Sequence, residues 1–175
     1  MNKKNVMIHE VNENVLSKDL SNFDIITFDD GLYSQYLNLE HYKKLPQPKI
    51  FFISTNIVCP EDTKQSIEPL YCADAHKKAF EGNFENYMKW SQIIEIYNTP
   101  NCFIGGHSHN HTKLHTLKEN IEDTKIMIKV FKSKNISIEN YCYPYNFAQS
   151  LRKLSVNRYG ITNIFGGERI AVESL

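Results

Sequence analysis

One unit recurs along the chain: a short apolar run bounded by turn residues, followed by a stretch whose apolar residues return every three or four positions. "NVMIHEV", "FDIIT" (23–27), "KIFFIST" (49–55), "CFIGG" (102–106) and "NYCYPY" (140–145) are the runs. Helix-period segments lie between them, the clearest carrying Leu114, Leu117, Ile121, Thr124, Ile128 and Phe131, with Thr116 and Glu119 spaced as a capping box. Short strands in alternation with helices favour a parallel sheet or barrel, whose working surface lies at the C-terminal ends of the strands. The polar clusters of this sequence fall at those ends. The segment 32–45 reads as a helix stopped by Pro46 and Pro48, residues around 87–97 as another, and "ITNIF-GG-ERIAV" as two final strands around a turn.

A length of 175 residues, 41% of them hydrophobic, fits one domain, 1–175. Lys+Arg and Asp+Glu balance at 20 each, which leaves no long-range field to attract a nucleic acid. The N-terminus reaches Glu10, Asn12 and Glu13 before any apolar run long enough for a signal peptide, and no segment approaches the ~20 apolar residues of a membrane span. A cytoplasmic location is the expectation. Cys59, Cys72, Cys102 and Cys142 are scattered without a Cys-x-x-Cys pair, as expected of reduced thiols rather than a zinc knuckle.

Two clusters carry chemistry. "TFDDG" (27–31) sets Asp29 and Asp30 at the end of a strand, where Gly31 lets the chain turn and bring both carboxylates to one place. Adjacent aspartates repel unless a cation shares the site, although a solvated Asp-Asp-Gly turn suits the pentapeptide equally well. "GGHSHNH" (105–111) places His107, His109 and His111 directly after a strand. Three histidines within five residues favour a metal, and the spacing alone leaves open which of them bind. Gly105 and Gly106 read as clearing space for a close approach of ligand to backbone.

"TFDDG", "HSHNH" taken as His-Ser-x-x-His, and "YPYN" (143–146) follow one another in the order and approximate spacing of the polysaccharide deacetylase family, also called the NodB-homology or carbohydrate esterase 4 family, and the chain resembles it from about Val6 to about Val172. The resemblance implies an incomplete or distorted (β/α) barrel with about five to seven mostly parallel strands. It makes Asp30, His107 and His111 the ligands of one divalent ion, Asp29 the catalytic base, and Tyr145 the residue whose backbone N–H holds the oxyanion. Zinc is the leading metal, with Co2+, Ni2+ and Fe2+ compatible with the same donors. Tyr143 and Tyr145 would line the sugar groove. The implied reaction removes the acetyl group from an N-acetylated sugar, an oligosaccharide or a lipid- or nucleotide-linked sugar, in surface-glycan biosynthesis.

The sequence departs from the family pattern late in the chain. Cys142 stands where an arginine usually precedes Pro-Tyr, no Asp follows Asp123, and no His follows His115 to protonate the leaving group. Asp29 is therefore expected to act in both proton transfers, with His9, at the end of the first strand, as its competitor for the role of general acid. Arg169 is a candidate to replace the absent charge, although an exposed place on a terminal strand is the expectation, and His41, His76 and His115 read as surface or capping residues. The long connection 56–85 is expected to help select substrate. Two other functions fit the same residues: a catalytically inactive, metal-retaining carbohydrate-binding homologue, and another metal-dependent amidohydrolase built around His-x-His.

Overall fold

The computed structural model describes residues 4–175. In chain order the elements are β1 (Asn5–Ile8), α1 (Glu13–Leu16), β2 (Ile25–Phe28), α2 (Tyr33–Leu37), α3 (Leu39–Lys43), β3 (Lys49–Ile53), α4 (Cys72–Phe80), α5 (Trp90–Tyr97), β4 (Cys102–Gly106), α6 (Leu117–Ser133), β5 (Asn140–Cys142), α7 (Ser150–Asn157), β6 (Asn163–Phe165) and β7 (Ile170–Ala171). The seven strands form one sheet in the order β6-β5-β4-β3-β2-β1-β7, and every pairing is parallel.

The last two strands do not pair with each other. β6 adds to β5 at one edge and β7 to β1 at the other, yet only residues 166–169 separate them. A connection that short spans at most roughly 18 Å. The sheet must therefore curl until its edges nearly meet, which makes it the incomplete barrel expected from the sequence.

The period-two alternation of the strands sorts side chains between two cores. Phe51 and Ile53 of β3 join Ile26, Phe28 and Ile104 in the larger core under the helices, with Ile93, Ile96, Met127 and Phe131. Phe28 stacks on Phe51 at 4.4 Å and takes the edge of Tyr42 at 4.7 Å. Ile50 and Phe52 face the other way, into a small core with Cys142 and Phe165. Burial of each such side chain contributes about 1.5–3 kcal/mol.

Gly105 and Gly106 serve this packing rather than a ligand: a Cβ on Gly105 would lie 2.5 Å from the Phe52 ring, and one on Gly106 2.7 Å from Met127 Sδ. The helix expected over 32–45 breaks at Asn38 into α2 and α3, and Tyr87 bridges Leu32 instead of opening α5. α6 begins with the expected capping box: Thr116 Oγ1 accepts from Glu119 N at 3.2 Å, and Glu119 Oε2 accepts from Thr116 N at 2.9 Å. The connection 56–85 carries α4 and a second apolar cluster, in which Ala75 and Ala79 pack with Leu32, Ile57, Cys59 and Tyr87. Among the described residues no helix is long and apolar enough to cross a membrane.

Candidate active site and metal centre

The functional side chains continue the inward faces of the strands. His9 follows β1, Asp29 and Asp30 follow β2, and His107 follows β4. Thr27 and Asp29 share a face of β2, and both accept hydrogen bonds from Arg169. Asp30 should point the opposite way, but its φ of 73° and the 74° of Gly31 turn the chain and bring its carboxylate round. Among the described residues seven non-glycines have positive φ, and five of them lie here: Asp30, Ser108, His111, Tyr145 and Asn146. Such conformations cost of order 1–3 kcal/mol each and collect where function holds them.

Asp30 Oδ1 lies 3.1 Å from Nε2 of His107 and 3.1 Å from Nε2 of His111, and the two Nε2 atoms are 3.2 Å apart. His107 Nδ1 donates to the Cys142 carbonyl at 3.0 Å, which leaves its Nε2 with a bare lone pair. Burial pushes His111 down to about 4, so this ring is neutral at pH 7. Burial alone would raise Asp30, but the imidazoles of His107 and His111 hold it well below its ordinary value. Three buried atoms of metal-ligating type thus converge at 3.1–3.2 Å, and no acceptor holds a proton on His111 Nδ1. Donors about 2.0–2.1 Å from one tetrahedral ion lie roughly 3.3 Å from each other. The triangle fits one divalent cation, and these are the three residues expected to hold it.

His109 points elsewhere, with Nδ1 2.8 Å from Thr55 Oγ1. The loop is fixed from below by Asp123, which accepts the backbone N–H groups of His109 and Asn110 and is itself paired with Arg152 of α7.

Asp29 is buried beside the triangle. Burial would raise it, but it is held below the ordinary carboxyl value by Arg169, whose Nη1 and Nη2 donate to Oδ1 at 2.6 Å and Oδ2 at 2.7 Å. Arg169 is therefore not the exposed residue expected of a terminal strand. Its side chain is fully buried, and it also donates to Gly166 O, Thr27 Oγ1, Asn146 Oδ1 and Cys142 Sγ. The guanidinium occupies the gap between the sheet edges and supplies the charge that Cys142 cannot. Gln35 Nε2 donates to the carbonyls of His9 and Asp29 and ties the ends of β1 and β2 together. His9 Nε2 stands 4.0 Å from Asp29 Oδ2, with its side chain 24% exposed.

A cavity of about 600 Å3 opens over these groups, walled by His9, Asp29, Asp30, His107 and His111 on the barrel side and by Cys72, His76 and Phe80 of α4 on the other. Tyr145 joins the wall, half exposed, with its ring 4.6 Å from that of His111. Tyr143 does not. It is buried in the helix-side core with its ring edge-on to Tyr141 at 5.7 Å, because the strand's alternation turns it away from the cavity. His76 was expected at the surface and is buried in the cavity wall.

Sequence reasoning missed Gln35 and the place of His76, and it ranked the role that Arg169 takes, replacing the absent charge, below an exposed one. A signal for Arg169 was present: in "ERIAV" the alternation that puts Ile170 and Val172 on the helix-side core puts Arg169 on the barrel face.

The fold is that of the polysaccharide deacetylases. IcaB from Ammonifex degensii superposes with a TM-score of 0.67 at 17% identity, over 97% of this chain and 84% of that one. A de-N-acetylase from Aggregatibacter actinomycetemcomitans gives 0.63 at 13% identity, over 97% and 78%. A pseudoenzyme of the carbohydrate esterase 4 family from Bacillus anthracis gives 0.52 at 14% identity, over 94% and 43%. No family model matches the sequence, and no curated protein matches it significantly. At these identities the likeness is one of fold, and function rests on the site.

Proposed function

We propose that the chain is a metal-dependent carbohydrate N-deacetylase, a hydrolase that converts an N-acetylated sugar and water into a free amino sugar and acetate. The observation that carries this reading is the buried triangle of Asp30, His107 and His111 with an ionised Asp29 beside it, open to a cavity large enough for a sugar ring. A divalent ion held by the three ligands would supply Lewis acidity toward the amide carbonyl and make the attacking water easier to deprotonate. Zinc suits two imidazoles and one carboxylate, as do Co2+, Ni2+ and Fe2+.

Asp29 accepts the proton of the water as its oxygen adds to the acetyl carbon. The C–N bond then breaks, and the departing nitrogen must gain a proton to leave as an amine. Arg169 holds both oxygens of Asp29, so the carboxylate is not free to follow that proton across the site. His9, partly exposed on the cavity and 4.0 Å from Asp29, is the group placed to donate it. In this reading Asp29 does not serve both steps. The Tyr145 backbone N–H remains our choice for the oxyanion, and the exposed Tyr145 ring offers a face for the sugar. The substrate class proposed is a lipid- or nucleotide-linked N-acetyl sugar or a short oligosaccharide, as in surface-glycan assembly.

The test is acetate release by the Zn2+-loaded protein from a panel of such compounds, with Asp29→Asn as the paired variant. Release by the wild type and its loss in Asp29→Asn, at unchanged metal content, supports the proposal. No acetate from any compound, with the metal bound, would favour the inactive binding protein.

A further inference from the structure

His76 is the one buried histidine in the cavity wall that this mechanism leaves unused. It lies on α4, whose place is fixed from two sides: Glu10 Oε2 accepts the Cys72 N–H at its first turn, and Ala75 and Ala79 pack into the second apolar cluster. His76 Nδ1 is 2.9 Å from the Cys72 carbonyl, four residues back, so the ring proton is on Nδ1 and Nε2 carries a lone pair. That Nε2 has no hydrogen-bond partner, although the side chain is only 10% exposed. It faces Asp30 Oδ1 at 3.8 Å, an acceptor that already meets Nε2 of His107 and of His111. The His76 ring stacks on His111 at 4.1 Å and 22°, and donor atoms of Asp30, His76 and His111 all lie within 4.8 Å of one another.

A structural histidine satisfies its second nitrogen, because burying an unpaired polar atom costs about 1–3 kcal/mol. Here the unpaired atom is aimed at another acceptor, an arrangement that a shared cation reverses from repulsive to attractive. We infer that His76 is a fourth protein ligand of the ion held by Asp30, His107 and His111, so that the centre is built from three histidines and one aspartate and turnover needs a further coordination position for water or substrate. The inference rests on the metal centre proposed above. His76 Nε2 stands 3.8 Å from Asp30 Oδ1 and within 4.8 Å of the His111 donor, farther than the roughly 3.3 Å between neighbouring donors on one ion, a gap the imidazole would close by turning toward the ion. The consequence is structural as well as chemical. The ion would pin α4, and with it the connection 56–85, to the ends of β2 and β4.

The experiment is a Zn2+ titration of protein labelled with 15N in its histidines, followed by long-range 1H–15N spectra and by competition with a chromophoric chelator. Resonances are assigned from His76→Ala, His107→Ala and His111→Ala. In the wild type, Nε2 of His76, His107 and His111 should shift together and saturate at one equivalent. His76→Ala should bind Zn2+ more than about a hundredfold more weakly, beyond the 10–100-fold typical of groups that only support a ligand. Asp74→Ala, an exposed position on the same helix, should bind as the wild type does. Because the spectra of the wild type report coordination directly, a variant that fails to fold does not remove the test. Shifts confined to His107 and His111, or affinity within about threefold of wild type in a folded His76→Ala, would overturn the inference and leave the three-residue centre standing. No Zn2+ bound by the wild type would overturn both.

Discussion

Replacement of Arg169 by methionine isolates the central electrostatic contact of this fold. The substitution keeps the length and apolar bulk of the stem but removes the guanidinium that donates to both oxygens of Asp29. Breaking a buried pair by removing one partner costs roughly 3–5 kcal/mol, because the remaining charge has lost its compensation. At about 2 kcal/mol per molar urea, that lowers the unfolding midpoint by about 1.5–2.5 M. The measurement is urea unfolding in the presence of a chelator, so that no bound ion offsets the loss. The double variant Arg169→Met/Asp29→Asn removes the stranded charge and should recover at least about 2 kcal/mol of coupling energy. The pH dependence follows from the same pair. In the wild type Asp29 is held below its ordinary 3.8, so it contributes stability above that pH and loses it as pH falls through the depressed value. Without Arg169 burial dominates and raises Asp29, so the variant's deficit should be largest near neutrality and shrink in acid as the carboxyl protonates. If the double variant is as unstable as Arg169→Met, with coupling under about 0.5 kcal/mol, the pair does not act as described.

Three further outcomes are expected. His107→Ala should lose bound Zn2+ by elemental analysis whereas His109→Ala should keep it, because His109 Nδ1 is turned to Thr55; equal loss in both would contradict the ligand assignment. His9→Ala should lower kcat by about 10²–10⁴-fold with metal content unchanged; a decrease under tenfold in steady-state acetate release would return the acid role to Asp29. Gly105→Ala should cost about 1–3 kcal/mol in urea unfolding, since its Cβ would meet the buried Phe52 ring at 2.5 Å; an unchanged midpoint would mean that the small core can open.

Much of this protein was legible in one dimension. The alternation of short strands with helix-period segments defined the class of fold, and "TFDDG" and "GGHSHNH" marked two strand ends as the site before any strand was placed. The α6 capping box was readable for the same reason: its partners are three residues apart, within the reach of local geometry. Tyr143 was misassigned from its neighbourhood, because a side chain beside a functional motif still obeys the alternation of its strand and points into the core.

What the chain could not display locally is which elements meet across the barrel. Arg169 and Asp29 are 140 residues apart and touch only because β7 pairs with β1 while β6 stays at the opposite edge. His76 lies 46 residues from Asp30 and faces it only because α4 folds back over the ends of the strands. Periodicity records which face of an element is buried, since that depends on the side chains of the element itself. Which partner lies against that face depends on the curl of the sheet and the packing of the whole, and only the tertiary structure decides it.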